Sequence, residues 1–256
     1  PDWGGQPRSR ADAAANWRSH NYGHRPPRPA NPPPGLHILS HNVGGLRGPR
    51  AVHALVMLWL ASGADVLAIQ ETWAGRPTAF GDGGACSERD INLWLRQAAE
   101  QAGVPPFTVW GSNTSTPGEN NGVAILIRAE RDIAVSDHEA TPDGRMQALR
   151  LKWGGRDFHL VNTYWPCTGA AARKSFLDNT LQPAIVRLGA DTVLLLGDFN
   201  FTPDPAVDRR PAPAAQTAAG DAQTQALLSA ALPHHADAFR RLHPVAHSYS
   251  YYTGVA

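Results

Sequence analysis

From Leu36 onward the chain alternates between short apolar runs and segments whose apolar residues recur at helical spacing. Leu36–Asn42, Asp65–Gln70, Phe107–Gly111, Gly122–Arg128, Ile133–Ser136, Met146–Lys152, Asp157–Asn162 and Thr192–Leu196 read as strands, each four to seven residues long. Val52–Leu60 places Val52, Leu55, Val56 and Trp59 on one face of a helix, and further helices are expected near Ile91–Ala102, over 170–188 and around Gln225–Leu232. Gly154-Gly155 lies between two strand runs and predicts a tight hairpin. Strands and helices mix without strict alternation, and several neighbouring strands are joined by tight turns. The pattern therefore predicts an α/β protein with two mainly antiparallel sheets and helices outside them, not a doubly wound parallel sheet.

Outside this pattern lie three other textures. Residues 1–35 end in the Pro-rich run Pro26–Pro34 and are expected to be a disordered tail; its local excess of Arg8, Arg10, Arg18, Arg25 and Arg28 is the basic arm of an otherwise balanced chain. Gly75–Gly84 is a Gly-rich loop, and 203–225 reads as a low-complexity surface insertion. That leaves 36–256 as a single domain.

Composition changes little in this picture. Hydrophobic residues make up 42% of the 256 residues and the net charge is +1, so the chain can bury a core and whole-chain charge does not announce a nucleic-acid binder. No apolar run reaches the roughly 18 residues of a membrane span, and the polar N-terminus has no signal-peptide pattern. Cys86 and Cys167 have no zinc-type spacing and read as reduced thiols of an intracellular, nuclear or cytoplasmic, non-secreted protein. The first residue is Pro1, which points to a fragment, a processed product or an incomplete gene model.

The candidate chemistry sits at strand ends. Gly197-Asp198-Phe199-Asn200 follows the most strand-like run, and Asp198 can orient or deprotonate water while Asn200 can donate to a phosphoryl oxygen. Ile69-Gln70-Glu71-Thr72 puts Glu71 at a strand terminus, where a hard cation could take its carboxylate. His41-Asn42-Val43-Gly44-Gly45 sets Asn42 beside a flexible turn, and Val161-Asn162-Thr163-Tyr164-Trp165-Pro166 offers Asn162 and Tyr164 as phosphate contacts. Each motif alone is an ordinary strand exit; their order and spacing together are the signal.

In that order the chain resembles the endonuclease/exonuclease/phosphatase superfamily, from about Leu36 to the C-terminus, with Gly122-Val123-Ala124-Ile125-Leu126 resembling a further family strand. The resemblance implies a four-layer, DNase I-like α/β sandwich with the site at one mouth of the paired sheets. It implies that Glu71 and Asn42 attend a Mg²⁺ ion, with Mn²⁺ as a substitute, and that Asp198 activates water. Asn200, Asn162 and Tyr164 would then position a scissile phosphate. Within the superfamily, Asp208-Arg209 and the stretch Asp237-Ala238-Phe239-Arg240-Arg241-Leu242-His243-Pro244…Tyr249-Ser250-Tyr251 are similar to endonuclease domains of non-LTR (LINE-type) retrotransposons. That branch implies a DNA-nicking function, with a reverse-transcriptase region in the same polyprotein.

The family's Ser-Asp-His-like triplet near its C-terminus has no counterpart there. Ser136-Asp137-His138 spells it in the middle of the chain, where topology makes it coincidence. The resemblance therefore implies a domain short of its last strands, with an open sheet edge and next to no activity. The competing functions are a cellular phosphodiesterase or phosphatase of the same fold, or an inactive remnant. Oligomeric state is not legible.

Overall fold

The computed structural model describes residues 35–46, 49–73, 88–103, 107–112, 121–189, 192–204 and 215–244. Eight strands form two four-stranded sheets. The first contains β1 (Ile38–Asn42), β2 (Val66–Gln70), β3 (Phe107–Ser112) and β4 (Val123–Arg128) in the order β1-β2-β4-β3. The second contains β5 (Ala134–Ala140), β6 (Met146–Trp153), β7 (Arg156–Tyr164) and β8 (Val193–Asp198) in the order β5-β6-β7-β8. Pairing is antiparallel except at β1–β2 and β7–β8, which are parallel. The mainly antiparallel expectation is therefore met. Each parallel pair needs a crossover, and helices supply it on the outer face.

Three apolar layers follow from strand alternation. Leu67 and Ile69 of β2 pack outward with Val52, Val56 and Trp59 of α1 (Pro49–Ser62) and Leu95 and Ala98 of α2 (Glu88–Gln101). Val66, Ala68, Ile125 and Ile127 face the second sheet and meet Leu149, Leu151, Phe158 and Leu160. Met146, Ala148 and Val161 face outward on the other side. They pack against one helical run made of α3 (Ala170–Phe176), a π-helical turn Leu177–Leu181, and α4 (Gln182–Leu188), and against Leu227 and Leu228 of α5 (Ala215–Ala231). A short α6 (Ala238–Leu242) follows. The result has the two sheets with outer helices that the pattern of apolar runs predicted, layered helix–sheet–sheet–helix as the family resemblance implied.

Most elements fall where hydrophobic patterning put them. The hairpin between β6 and β7 turns at Gly154 and Gly155, whose φ values of 57° and 76° are those a right-twisted hairpin needs. Two differences have physical causes. β5 runs on through Asp137 and His138 to Ala140, because a register shift between Ser136 and His138 lets an irregular, exposed strand stay paired with β6. The expected insertion 203–225 is in part helix: α5 begins at Ala215, and its Asp221 and Thr224 are buried. An Ala/Gln-rich sequence reads as low complexity, yet Ala and Gln are good helix formers. The tail 1–34, the Gly75–Gly84 loop, Cys86, Asp208-Arg209 and Tyr249–Tyr251 lie outside the described residues.

Two polar contacts tie the layers together. Asp65, almost fully buried before β2, accepts from the His37 backbone N–H at 2.9 Å and from Arg131 Nε at 2.7 Å. Burial raises the Asp65 pKa, but the hydrogen bonds from Arg131 and His37 outweigh it and hold the carboxyl below its ordinary value. Between the sheets, Gln70 Nε2 donates to Asn162 Oδ1 at 2.7 Å, and Asn162 Nδ2 donates to the carbonyls of Ile69 and Ala124 at 3.0 and 3.1 Å. Both side chains are buried, so neither can exchange these partners for water.

Two outcomes follow. Because the Asp65 pKa is depressed on folding, its stabilisation is complete above the unfolded value of 3.8 and is lost as pH falls through the lower folded value. Urea unfolding from pH 6 to pH 2.5 should show this acid limb shrink in Asp65→Asn, and an unchanged limb would refute the linkage. Asn162→Ala removes the three hydrogen bonds that cross between the sheets, leaving Gln70 Nε2 only Ser40 Oγ and the Ala68 carbonyl in its own sheet, and should lower stability by about 2–4 kcal/mol in the same assay. A loss below about 1 kcal/mol would mean that the amide pair does not join the sheets.

Candidate active site

The inter-sheet faces of three strands end in polar groups at the same mouth. In β1, Ile38 lies in the inter-sheet layer, so the i, i+2, i+4 rule puts Asn42 on that face. In β7 the row Phe158, Leu160, Asn162 continues to Tyr164, and in β8 Leu196 is followed by Asp198 on the same face. Parallel registry of Asn42 with Gln70 and of Tyr164 with Asp198 levels these ends. Glu71 breaks the rule. Alternation would send it outward after inward-facing Gln70, but its φ of 56° is left-handed and redirects the chain. The loop is held in that shape by Gly45 N donating to Glu71 O at 2.8 Å and by Thr72 N donating to Gly122 O at 3.1 Å. A left-handed Glu costs of the order of 1–3 kcal/mol and persists where the surroundings dictate it.

The groups meet through Asn42. Its Nδ2 donates to Glu71 Oε1 at 2.9 Å and to Asp198 Oδ2 at 2.8 Å, while its Oδ1 accepts from Gly44 N at 3.0 Å. Trp73 Nε1 holds the other Glu71 oxygen at 3.2 Å. The Tyr164 phenol also bonds to Glu71; burial first, and that carboxylate second, push its pKa well above the ordinary value, so the hydroxyl keeps its proton. Arg145 lies over the Tyr164 ring at 5.4 Å. Next to the site, Trp59 Nε1 donates to His41 Nδ1 at 3.1 Å, and burial lowers His41 to about 4, which keeps that imidazole neutral near pH 7.

Asp198 is fixed from its own loop as well. Asn200 N donates to Asp198 Oδ1 at 2.9 Å, Trp165 N donates to Asp198 O at 2.9 Å, and Asn200 Nδ2 donates to Trp165 O at 2.8 Å. Gly197 is required here: at its φ of 138° a Cβ would lie 1.9 Å from Thr163 O. Trp165, fully buried, packs against Phe176, Phe199 and Phe201 at ring centroid distances of 5.4 to 5.8 Å, which seats the turn on the outer helices.

The structure thus brings Asn42, Glu71, Tyr164 and Asp198 together, with Asn200 two residues behind. Asn162 does not join them, and its expected place as a phosphate contact is corrected. It lies one strand position pair deeper, with no exposed surface, and its amide is used between the sheets. Reading Asn162 on the same face as Phe158 and Leu160 would have marked it as interior. Trp73, Arg145 and the Gly45 contact have no sequence motif and emerge only from the fold.

Histidines that invite a catalytic role are engaged elsewhere. The ring of His138 lies beside Gln147 Nε2 at 3.0 Å and packs against Trp110, and His243 stacks on Phe239 at 5.1 Å. The mid-chain Ser-Asp-His is therefore part of an edge strand and not of the mouth. Asp237 caps α6 by accepting from Arg240 N at 2.9 Å, a structural duty.

The donor set is oxygen-rich. Among the described residues no three His, Cys, Asp or Glu side chains come together as a complete metal cage. Two carboxylates and a carboxamide do meet, which suits a hard cation that keeps much of its water. Among the described residues, too, no helix is long and apolar enough to cross a membrane, and Cys167 is a free, exposed thiol.

Comparison with known proteins agrees with the fold. Two solved structures share the fold: an AP endonuclease from Archaeoglobus fulgidus and the AP endonuclease LMAP from Leishmania major. The first is 20% identical with a TM-score of 0.61, covering 86% of this chain and 79% of its own. The second is 18% identical with a TM-score of 0.60, covering 82% and 70%. No curated protein matches the sequence significantly. The model of the Endonuclease/Exonuclease/phosphatase family matches residues 39–251, spanning all the strand ends that meet at the mouth, and the chain belongs to that family of hydrolytic phosphoesterases.

Proposed function

We propose that this protein hydrolyses phosphodiester bonds in DNA with Mg²⁺, Mn²⁺ being able to replace it, and that it is the nicking endonuclease domain of a retrotransposon-derived protein. The observation that carries the hydrolytic reading is the Asn42 amide joining Glu71 and Asp198, which come from separate strands in different sheets. The DNA reading is supported by the shared fold with AP endonucleases. The retrotransposon reading is supported by the Asp208-Arg209 and Asp237–Pro244 sequences, with a reverse-transcriptase region expected in the same polyprotein.

Glu71 would hold the cation, with Asn42 beside it. A bound cation supplies Lewis acidity at a phosphoryl oxygen. The chain's own groups do the rest. Asp198, kept in one rotamer by Asn200 N, accepts the proton of the attacking water. Tyr164, still protonated and donating to Glu71 in the free site, would turn that hydroxyl to a phosphoryl oxygen of the substrate, and the Arg145 guanidinium beside it offsets the charge that grows there. Among the described residues no imidazole joins this cluster.

Supercoiled plasmid incubated with the chain and Mg²⁺ or Mn²⁺ should be converted slowly to the nicked form, and EDTA should stop it. Asp198→Ala should lower the rate by about 10²–10⁴-fold. Glu71→Gln should raise the Mg²⁺ concentration needed for half-maximal rate. Turnover of lipid phosphodiesters, mononucleotides or poly(A) without nicking would replace the DNA reading with that of a cellular phosphodiesterase. No turnover of any phosphoester, with a folded chain, would mark an inactive remnant.

A further inference from the structure

A buried ion pair lies behind the Asp198–Asn200 turn, away from the mouth. Arg173 of α3 and Asp221 of α5 are 6% and 2% exposed. Arg173 Nη2 meets Asp221 Oδ1 at 3.2 Å, and Arg173 Nε donates to Thr224 Oγ1 at 3.0 Å. The remaining contacts leave the helices. Arg173 Nη1 donates to the Asn200 carbonyl at 2.8 Å, and Asp221 Oδ2 accepts from Thr202 N at 3.2 Å. The pair therefore holds the backbone on both sides of Phe201, and the Phe201 ring lies 5.9 Å from the guanidinium.

A buried ion pair is a poor device for joining two helices, because desolvation of the charges offsets much of their attraction and apolar side chains would serve as well. Apolar side chains could not satisfy a carbonyl and an N–H at a turn. Asn200 is left-handed, with φ of 51°, so its carbonyl has no ladder to pair with. The contacts continue toward the mouth: Asn200 N holds Asp198 Oδ1, and Asp198 Oδ2 faces Asn42.

We propose that Arg173 and Asp221 form a clamp that sets the Asp198–Asn200 turn, making them positioning residues of the site that do not touch substrate. The clamp rests on the proposed hydrolytic role of Asp198 for its consequence in turnover, and on geometry alone for its effect on the turn. Arg173→Met keeps the volume and removes every donor; Arg173→Lys keeps one; Lys174→Met, on the exposed side of the same helix, is the control.

Hydrogen exchange should show the amides from Phe199 to Thr202 opening about tenfold faster in Arg173→Met, with the β6–β7 hairpin unchanged. In plasmid nicking, kcat should fall about 30-fold with KM nearly constant, Arg173→Lys recovering part of the loss. Wild-type exchange and kcat in folded Arg173→Met would overturn the clamp. Faster exchange throughout the chain would also overturn it, since that marks a merely structural pair. If Arg173→Met does not fold, Asp221→Asn decides by the same readings, Thr202 N being the reporter. Failure of every form to nick DNA, the unsubstituted chain included, refutes the DNA-nicking reading and leaves the clamp to be decided by exchange.

Discussion

The two sheets meet through an apolar layer in which the carboxamides of Gln70 and Asn162 face each other at 2.7 Å. A carboxamide pair in such a layer has a directional requirement that Val, Ile and Leu do not have, so it allows one relative placement of β2 and β7. Everything at the mouth is counted from that placement. Glu71 follows Gln70, Tyr164 lies two residues beyond Asn162, and Asn42 and Asp198 are brought level through the parallel pairings with β2 and β7. A slip of one residue would part the amides and also turn every inward side chain outward.

At the mouth the backbone departs from regular geometry where the groups must converge. Glu71, Trp73 and Asn200 are left-handed without being glycine, and Gly197 lies where no side chain fits. These conformations are held by bonds across the loops and not by local preference. The strain and its support belong together: without the Gly45, Gly122 and Trp165 contacts, Glu71 would face the outer helices and Asp198 would lose its orientation. On this view the Arg173–Asp221 pair is one more such support, reaching the turn from the rear.

Much of this was legible in the sequence. Strand and helix positions followed from periodicity because burying an apolar face is the dominant favourable term, and each element must show that face to a layer. The Gly154-Gly155 turn was legible because few residues other than glycine adopt its dihedrals. Glu71, Asn42, Tyr164 and Asp198 were legible as polar residues ending apolar runs. Asn162 was misread for the same reason: it is polar near a strand end, and polarity alone does not separate a group at the mouth from one facing a partner amide inside.

By itself, then, the sequence determined the elements, the two-sheet architecture and the set of strand-end groups, since these depend on local periodicity and on residue type. Only the tertiary structure decided which of those groups meet, that Asn42 bridges two carboxylates, that Asn162 is interior and that Arg173 reaches the Asn200 carbonyl. Those contacts join residues 27 to 156 positions apart. A hydrogen bond is directional and short in range, so its partners are settled by the packing of layers and not by the order of residues along the chain.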